Sequence, residues 1–187
     1  MPDRDVRTIR DLIFYQYAKI MAKSAMKATD GKQVKSQHYG FIKKSFLELK
    51  TGEMKWSDIL REDWQFVGSE HECIYCGSTN DLQKEHIVPK SIRINDRCPS
   101  CDTVQGIHNQ VWGCKDCNSS KSTQGLYSFY KATHPNEKKF YDFIPPLLEK
   151  KYLKTIYKCH ECAKTLDSGD LDGDMELTVL DLDFVLK

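Results

Sequence analysis

The sequence predicts an α+β chain: an N-terminal helical region, a central module stapled by metal ions, and a C-terminal extension ending in a small β segment. Three observations carry this expectation. Eight cysteines fall as four pairs, Cys73/Cys76, Cys98/Cys101, Cys114/Cys117 and Cys159/Cys162, each with the same two-residue gap. Apolar residues before position 50 recur at helical period. The tail ELTVLDLDFVL alternates apolar and polar residues, as a strand does.

The elements follow in order. Residues 6–28 place Ile9, Leu12, Ile13, Tyr17, Ile20 and Met21 on a helical repeat, and Asp30-Gly31 supplies a stop. A second helix is expected from Tyr39 to Lys50, carrying Phe41, Ile42, Phe46 and Leu47 and broken by Thr51-Gly52. A third is expected over 56–66, with Ser57 near its start as a cap. Residues 70–125 are rich in Cys, Asn, Ser and Lys and have only short apolar runs, so metal ions must supply much of their stability. Within them LQKEHIV reads as a short strand ended by Pro89. Residues 126–158 return to an aromatic pattern, and a short helix follows Pro145-Pro146 as far as Tyr157. The organisation expected is a helical region at 1–69, a metal-stapled core at 70–125, and an extension at 126–187.

Composition bounds the class. Hydrophobic residues make up 40% and charged residues 29% of 187, a balance that can bury a core. No stretch approaches the roughly 20 apolar residues of a membrane span. The N-terminus lacks an apolar signal-peptide run, so a cytoplasmic location is expected. Charge is distributed unevenly. Residues 1–50 hold 11 Lys/Arg against 5 Asp/Glu, and residues 163–187 hold 2 Lys against 7 Asp/Glu. The basic half suits a polyanionic partner; a solvated lysine-rich helix face is the competing reading.

A two-residue gap lets both thiolates of one turn reach a single tetrahedral ion, so two such hooks complete one zinc site and four make two. The acidic turn DSGDLDGDME gives Asp170, Asp172 and Asp174 the spacing of calcium-loop ligands, but Met175 and Asp181 stand where such a loop needs Gly and Glu. A solvated turn is the expectation there.

Phosphodiester hydrolysis needs a base that works near neutral pH, which His provides. It also needs a hard cation held by oxygen ligands. Glu85, His86 and Asn118 supply that set, and on a strand the adjacent side chains of Glu85 and His86 point to opposite faces. CIYCGSTNDLQKEHIVPKS, a 22-residue interval after His86, and then NQVWGCKDCNSSKS together resemble the HNH, or ββα-metal, endonuclease family in its zinc-hook variant. The match covers roughly residues 73–125.

The resemblance implies a ββα-metal nuclease core. In it His86 is the general base, Glu85 and Asn118 hold a catalytic Mg²⁺ or Mn²⁺, and Asn109 orients the base. Cys73, Cys76, Cys114 and Cys117 would hold the first structural zinc. Lys121 matches a basic residue common in the family, and Lys121, Lys90 and Arg93 are the candidate phosphate contacts. Arg97 and Lys115 flank the site. A second zinc would use Cys98, Cys101, Cys159 and Cys162; pairing Cys98/Cys101 with Cys114/Cys117 is the alternative. His71 and His160 beside the hooks could replace a cysteine, and Trp112 is expected to pack under the hairpin. Glu in place of the commoner Asp, and the inserted Cys98/Cys101 hook, depart from the family pattern. The implied activity is a DNA endonuclease of restriction type acting on double-stranded DNA as a homodimer. A homing or nicking enzyme and a non-catalytic zinc-ribbon binding module are the alternatives.

Overall fold

The computed structural model describes residues 4–27, 35–55, 71–92, 94 and 102–187. The helix expected over 56–66 and the residues Arg93, Arg97, Cys98 and Cys101 lie outside the described residues.

Helix α1, Ile9–Lys27, is central to the core. Ile9, Leu12, Ile13, Tyr17 and Ala18 are buried, as are Phe14 and Tyr15 on other faces, because the helix is covered on more than one side. Its start is capped twice. Thr8 Oγ1 accepts from Asp11 N–H and Asp11 Oδ2 accepts from Arg7 N–H, a reciprocal arrangement close to a capping box. The next free donors, Ile9 and Arg10 N–H, bond the carbonyls of Ser168 and Leu166 at 2.8 and 2.9 Å. Helix α2, Lys35–Thr51, lies alongside, burying Ile42, Phe46 and Leu49.

Strands β1, Leu82–His86, and β2, Gln110–Cys114, form an antiparallel pair with Leu82 opposite Cys114 and His86 opposite Gln110. The connection between them carries a short helix α3, Asp102–Gln105, and a single 3-10 turn, Ile107–Asn109. Helix α4, Lys115–Lys121, begins where β2 ends. Helix α5, Leu126–Thr133, follows, and then a 3-10 turn at Phe140–Phe143. Helix α6, Pro146–Ala163, starts at the expected Pro pair but runs beyond Tyr157 to a left-handed Lys164. The core joins all three regions, since Ile87, Val88 and Val111 cluster with Leu12, Leu126, Tyr152 and Leu182. No described helix is long and apolar enough to cross a membrane.

The C-terminal strand expectation is corrected. The tail forms a short helix α7, Asp181–Phe184, with no partner strand among the described residues. Two aspartates decide this. Asp181 is buried and its carboxylate accepts from Leu171, Asp172 and Thr178 N–H groups, closing the acidic turn over itself. Asp183 reaches Ser128 N–H and the Tyr152 hydroxyl, and Gly125 faces it because any side chain there would collide with its carboxylate. In the turn, Asp170, Asp172 and Asp174 are spent on backbone N–H groups of residues 173–176.

Glu149 on α6 is buried and accepts from the Tyr127 hydroxyl at 2.9 Å. Burial pushes its carboxyl up to about 7, against an ordinary value of 4.5. Between these values the folded chain keeps a proton that the unfolded chain has released, so stability falls as pH rises through that window. Glu149→Gln is therefore expected to be more stable than wild type at pH 8, by about 1–3 kcal/mol, with the gap nearly closed at pH 5. Urea unfolding of both proteins at the two pH values measures it.

Candidate metal centre and hairpin site

The first hook turns tightly at Cys73-Ile74-Tyr75-Cys76, where the Cys73 carbonyl accepts from Gly77 N–H and Gly77 adopts a positive φ of 73°. Ile74 N–H bonds the Trp112 carbonyl at 2.9 Å, so the hook is sewn to β2. The second hook straddles the end of β2. Cys114 is the N-cap of α4, its sulfur accepting from Cys117 N–H at 3.4 Å. The four sulfurs of Cys73, Cys76, Cys114 and Cys117 lie within 4.8 Å of one another, with Cys76 and Cys114 at 3.8 Å. Tetrahedral ligation at a Zn–S distance of about 2.3 Å puts sulfurs about 3.8 Å apart, so the cluster fits zinc. Burial first, and then the neighbouring sulfurs of Cys114 and Cys76, push the Cys117 thiol well up. The clustering also decides the pairing of the first two hooks: Cys114/Cys117 meets Cys73/Cys76.

Cys159 and Cys162 stand at the end of α6, one buried and one exposed. Neither neighbouring histidine joins the four-sulfur group. His71 packs its ring on Trp112 with centroids 4.3 Å apart. His160 is buried, its Nδ1 on Thr165 Oγ1 at 2.8 Å and its Nε2 on the Leu182 carbonyl at 3.1 Å, and burial lowers it to about 4.

On β1, alternation sends Glu85 and His86 to different surroundings. Glu85 is 4% exposed. Its Oε1 receives the Lys121 ammonium at 3.1 Å and the Tyr75 hydroxyl at 3.0 Å. Its Oε2 is buried with no partner among the described residues and lies against Gly113, where an added Cβ would stand 2.7 Å away. Burial raises the Glu85 carboxyl, opposed by Lys121 and Tyr75.

His86 is half-buried beside Gln110, its cross-strand partner. The Gln110 amide nitrogen donates to the Gln105 carbonyl at 3.2 Å, which fixes the amide's orientation, and lies 3.3 Å from His86 Nε2. Burial first, and then the charges of Lys90 and Lys121, lower His86 below its ordinary 6.5, so the imidazole is neutral at neutral pH.

Asn109 is fully buried, but it grips backbone rather than the imidazole. Its Oδ1 accepts from Val88 N–H at 2.9 Å, and its Nδ2 donates to the carbonyls of Val88 and Val104 at 2.8 Å. It fixes the chain two residues beyond His86 onto α3. Asn118 sits half-buried on α4, one turn before Lys121. Lys121 departs from the phosphate-holding role. It is 0% exposed, with its ammonium on Glu85 and 3.5 Å from the His86 carbonyl. Lys90 and Lys115 are exposed near the site.

Tyr75, Gln105 and Gln110 were not singled out by the sequence. Counting back from Cys114 along an assumed hairpin register would have put Gln110 opposite His86; nothing in the sequence marks Tyr75. Tyr130 adds a buried hydroxyl with no partner, within electrostatic reach of Cys117, Cys73 and Glu85. Comparisons with protein-family models, curated proteins and solved structures gave no match.

If this cluster holds zinc, Co²⁺ exchanged into the chain will give the visible absorption of a four-thiolate tetrahedral site. Cys114→Ser should weaken that band and cost one bound zinc per chain by elemental analysis. An unchanged metal content would refute the site.

Proposed function

We propose that this chain is an HNH-type, metal-dependent endonuclease that hydrolyses phosphodiester bonds in double-stranded DNA. The observation that carries the reading is the pairing, on one strand of a cysteine-clamped hairpin, of a half-buried histidine with a buried carboxylate whose second oxygen has no partner among the described residues. The helix bearing Asn118 begins at the clamp beside them.

Residues fit for a hard cation are present. Glu85 Oε2 is an uncommitted oxygen, and the Asn118 amide supplies a second; both are ligand types that Mg²⁺ or Mn²⁺ prefers. Such an ion, when bound, would stabilise the charge developing on the leaving oxygen. The remaining work belongs to the chain. His86 Nε2 exchanges its contact with the Gln110 amide for a water and takes the water's proton. Gln110 and the Gln105 carbonyl keep the ring in register, and Asn109 holds the segment after His86 in place. Asn109 thus acts on the base through the backbone. Exposed Lys90 and Lys115 are the side chains placed to meet phosphates.

A restriction-type role, with two copies each cutting one strand, fits a chain of this size and remains part of the proposal. So does a second zinc at Cys98, Cys101, Cys159 and Cys162. Its support is that Cys159 and Cys162 are three residues apart on α6 and so share one helix face. Replacing both by serine should drop zinc from two ions per chain to one.

A non-catalytic zinc-ribbon module is the second reading, favoured by one observation: the Glu85–Lys121 pair is enclosed as a purely structural ion pair would be. Plasmid incubated with the zinc-loaded chain and Mg²⁺ or Mn²⁺ separates the two. The endonuclease nicks or linearises it, and His86→Ala loses about 10²–10⁴-fold of the rate with zinc content unchanged. Because His86 is lowered, its neutral base form persists into acid, so the acidic limb of the rate profile should have its midpoint below pH 6.5. No cleavage with either ion, or full activity in His86→Ala, would reject the proposal.

A further inference from the structure

Resting on the reading of Glu85 as an ion ligand, we propose that Tyr75, inside the first cysteine hook, is a positioning residue that couples the structural metal to the catalytic one. Tyr75 lies between Cys73 and Cys76, and its hydroxyl donates to Glu85 Oε1 at 3.0 Å. Lys121 reaches the same oxygen at 3.1 Å from the opposite element, α4. Two donors therefore hold one oxygen, and the carboxylate's rotation about its last bond is fixed. Oε2 is left as the single oxygen able to take an ion. Gly113 gives Oε2 room to pack against the backbone of β2, since a Cβ there would stand 2.7 Å from it.

The reach of Tyr75 depends on the shape of the hook. Its neighbours are set by Cys73 and Cys76 on the cluster and by the bonds from Ile74 N–H to Trp112 and from Cys73 N–H to Ser78. The ring itself is wedged edge-on against Phe129, with centroids 5.6 Å apart, so the hydroxyl cannot swing away while the hook keeps its form. Both metals, when bound, would thus bear on one carboxylate: Tyr75, aimed by the first hook, holds Oε1, and Oε2 would be left for the second ion. Groups one step out from a metal ligand are worth about 10–100-fold in affinity in other sites.

The test is Mn²⁺ binding to the zinc-loaded full chain, followed by the electron paramagnetic resonance of free Mn²⁺, in wild type, Glu85→Gln and Tyr75→Phe. Tyr75→Phe removes one oxygen and keeps the ring on Phe129, so the fold and the four-thiolate Co²⁺ spectrum should persist. The expected result is Mn²⁺ affinity about 10-fold or more weaker in Tyr75→Phe, and cleavage that recovers as Mn²⁺ is raised while KM for DNA stays unchanged. Wild-type affinity in Tyr75→Phe, with binding lost in Glu85→Gln, overturns the positioning role and leaves Glu85 as a ligand. Wild-type affinity in Glu85→Gln overturns the ligand reading itself, and the positioning role with it.

Discussion

Everything about the central module depends on strand register, and the cysteine clamp sets it. Two five-residue strands joined through residues 87–109 do not hold each other in water; an isolated pair is marginal at best, and a long connection adds loop-closure entropy. The clamp removes that freedom by fastening the hook before β1 to the residue that ends β2. It does so at Cys114, opposite Leu82, so the pairing is pinned at one end and every partner further along follows. A slip of one residue would exchange the faces of all side chains on β1. Glu85 would then turn outward and His86 would take the enclosed place beside Lys121. The division of the adjacent pair into an enclosed carboxylate and a half-buried imidazole is thus a consequence of cysteine clustering several residues away.

The enclosed carboxylate carries a second constraint. Glu85 and Lys121 are both nearly devoid of solvent contact, and a buried pair of this kind gains little over apolar packing, while loss of one partner strands the other's charge at a cost of about 3–5 kcal/mol. The pair is best understood through what it specifies. Lys121 lies at the end of α4, so its ammonium fixes that helix to β1 at the far side from the clamp, and α4 is held at both ends. Asn118, between the two fastenings, has its position set by geometry that neither fastening supplies alone.

Much of the chain could be read before its folding was known, and the failures share a cause. The helix at 35–51 was legible because its burial follows the 3.6-residue repeat, and that at 9–27 because its apolar residues recur at that period within one segment, although it is covered on more than one side. The four-sulfur group was legible because ligand spacing is also local. Lys121 was not: a lysine near a nucleic-acid-binding pattern reads as a surface charge, and only the fold brings Glu85 to it. The tail failed for a related reason. Its alternation of Leu, Val and Phe with Asp looks half-solvated, yet the aspartates at 181 and 183 are buried together with Leu182, Asp183 held by hydrogen bonds from segments as distant as Ser128 and Tyr152. Tyr75 and Gln110 depend on register across the hairpin, which spacing alone does not state.

The uneven charge changes meaning in the same way. The basic excess of residues 1–50 suggested a polyanion-binding face, but two of its charges are answered by downstream acids, while two further lysines pair with acids of the same segment. Lys50 pairs with Asp11 and Lys43 with Asp5, while Lys23 and Arg10 pair with the downstream acids Asp142 and Asp167. The last of these contacts lies where the C-terminal segment caps the first turn of α1 through the carbonyls of Leu166 and Ser168. The two oppositely charged ends of the sequence therefore meet in space, and part of their asymmetry is cohesion. On the endonuclease reading proposed above, the lysines that would meet phosphates are those exposed around the strand that carries His86: Lys84, Lys90 and Lys115.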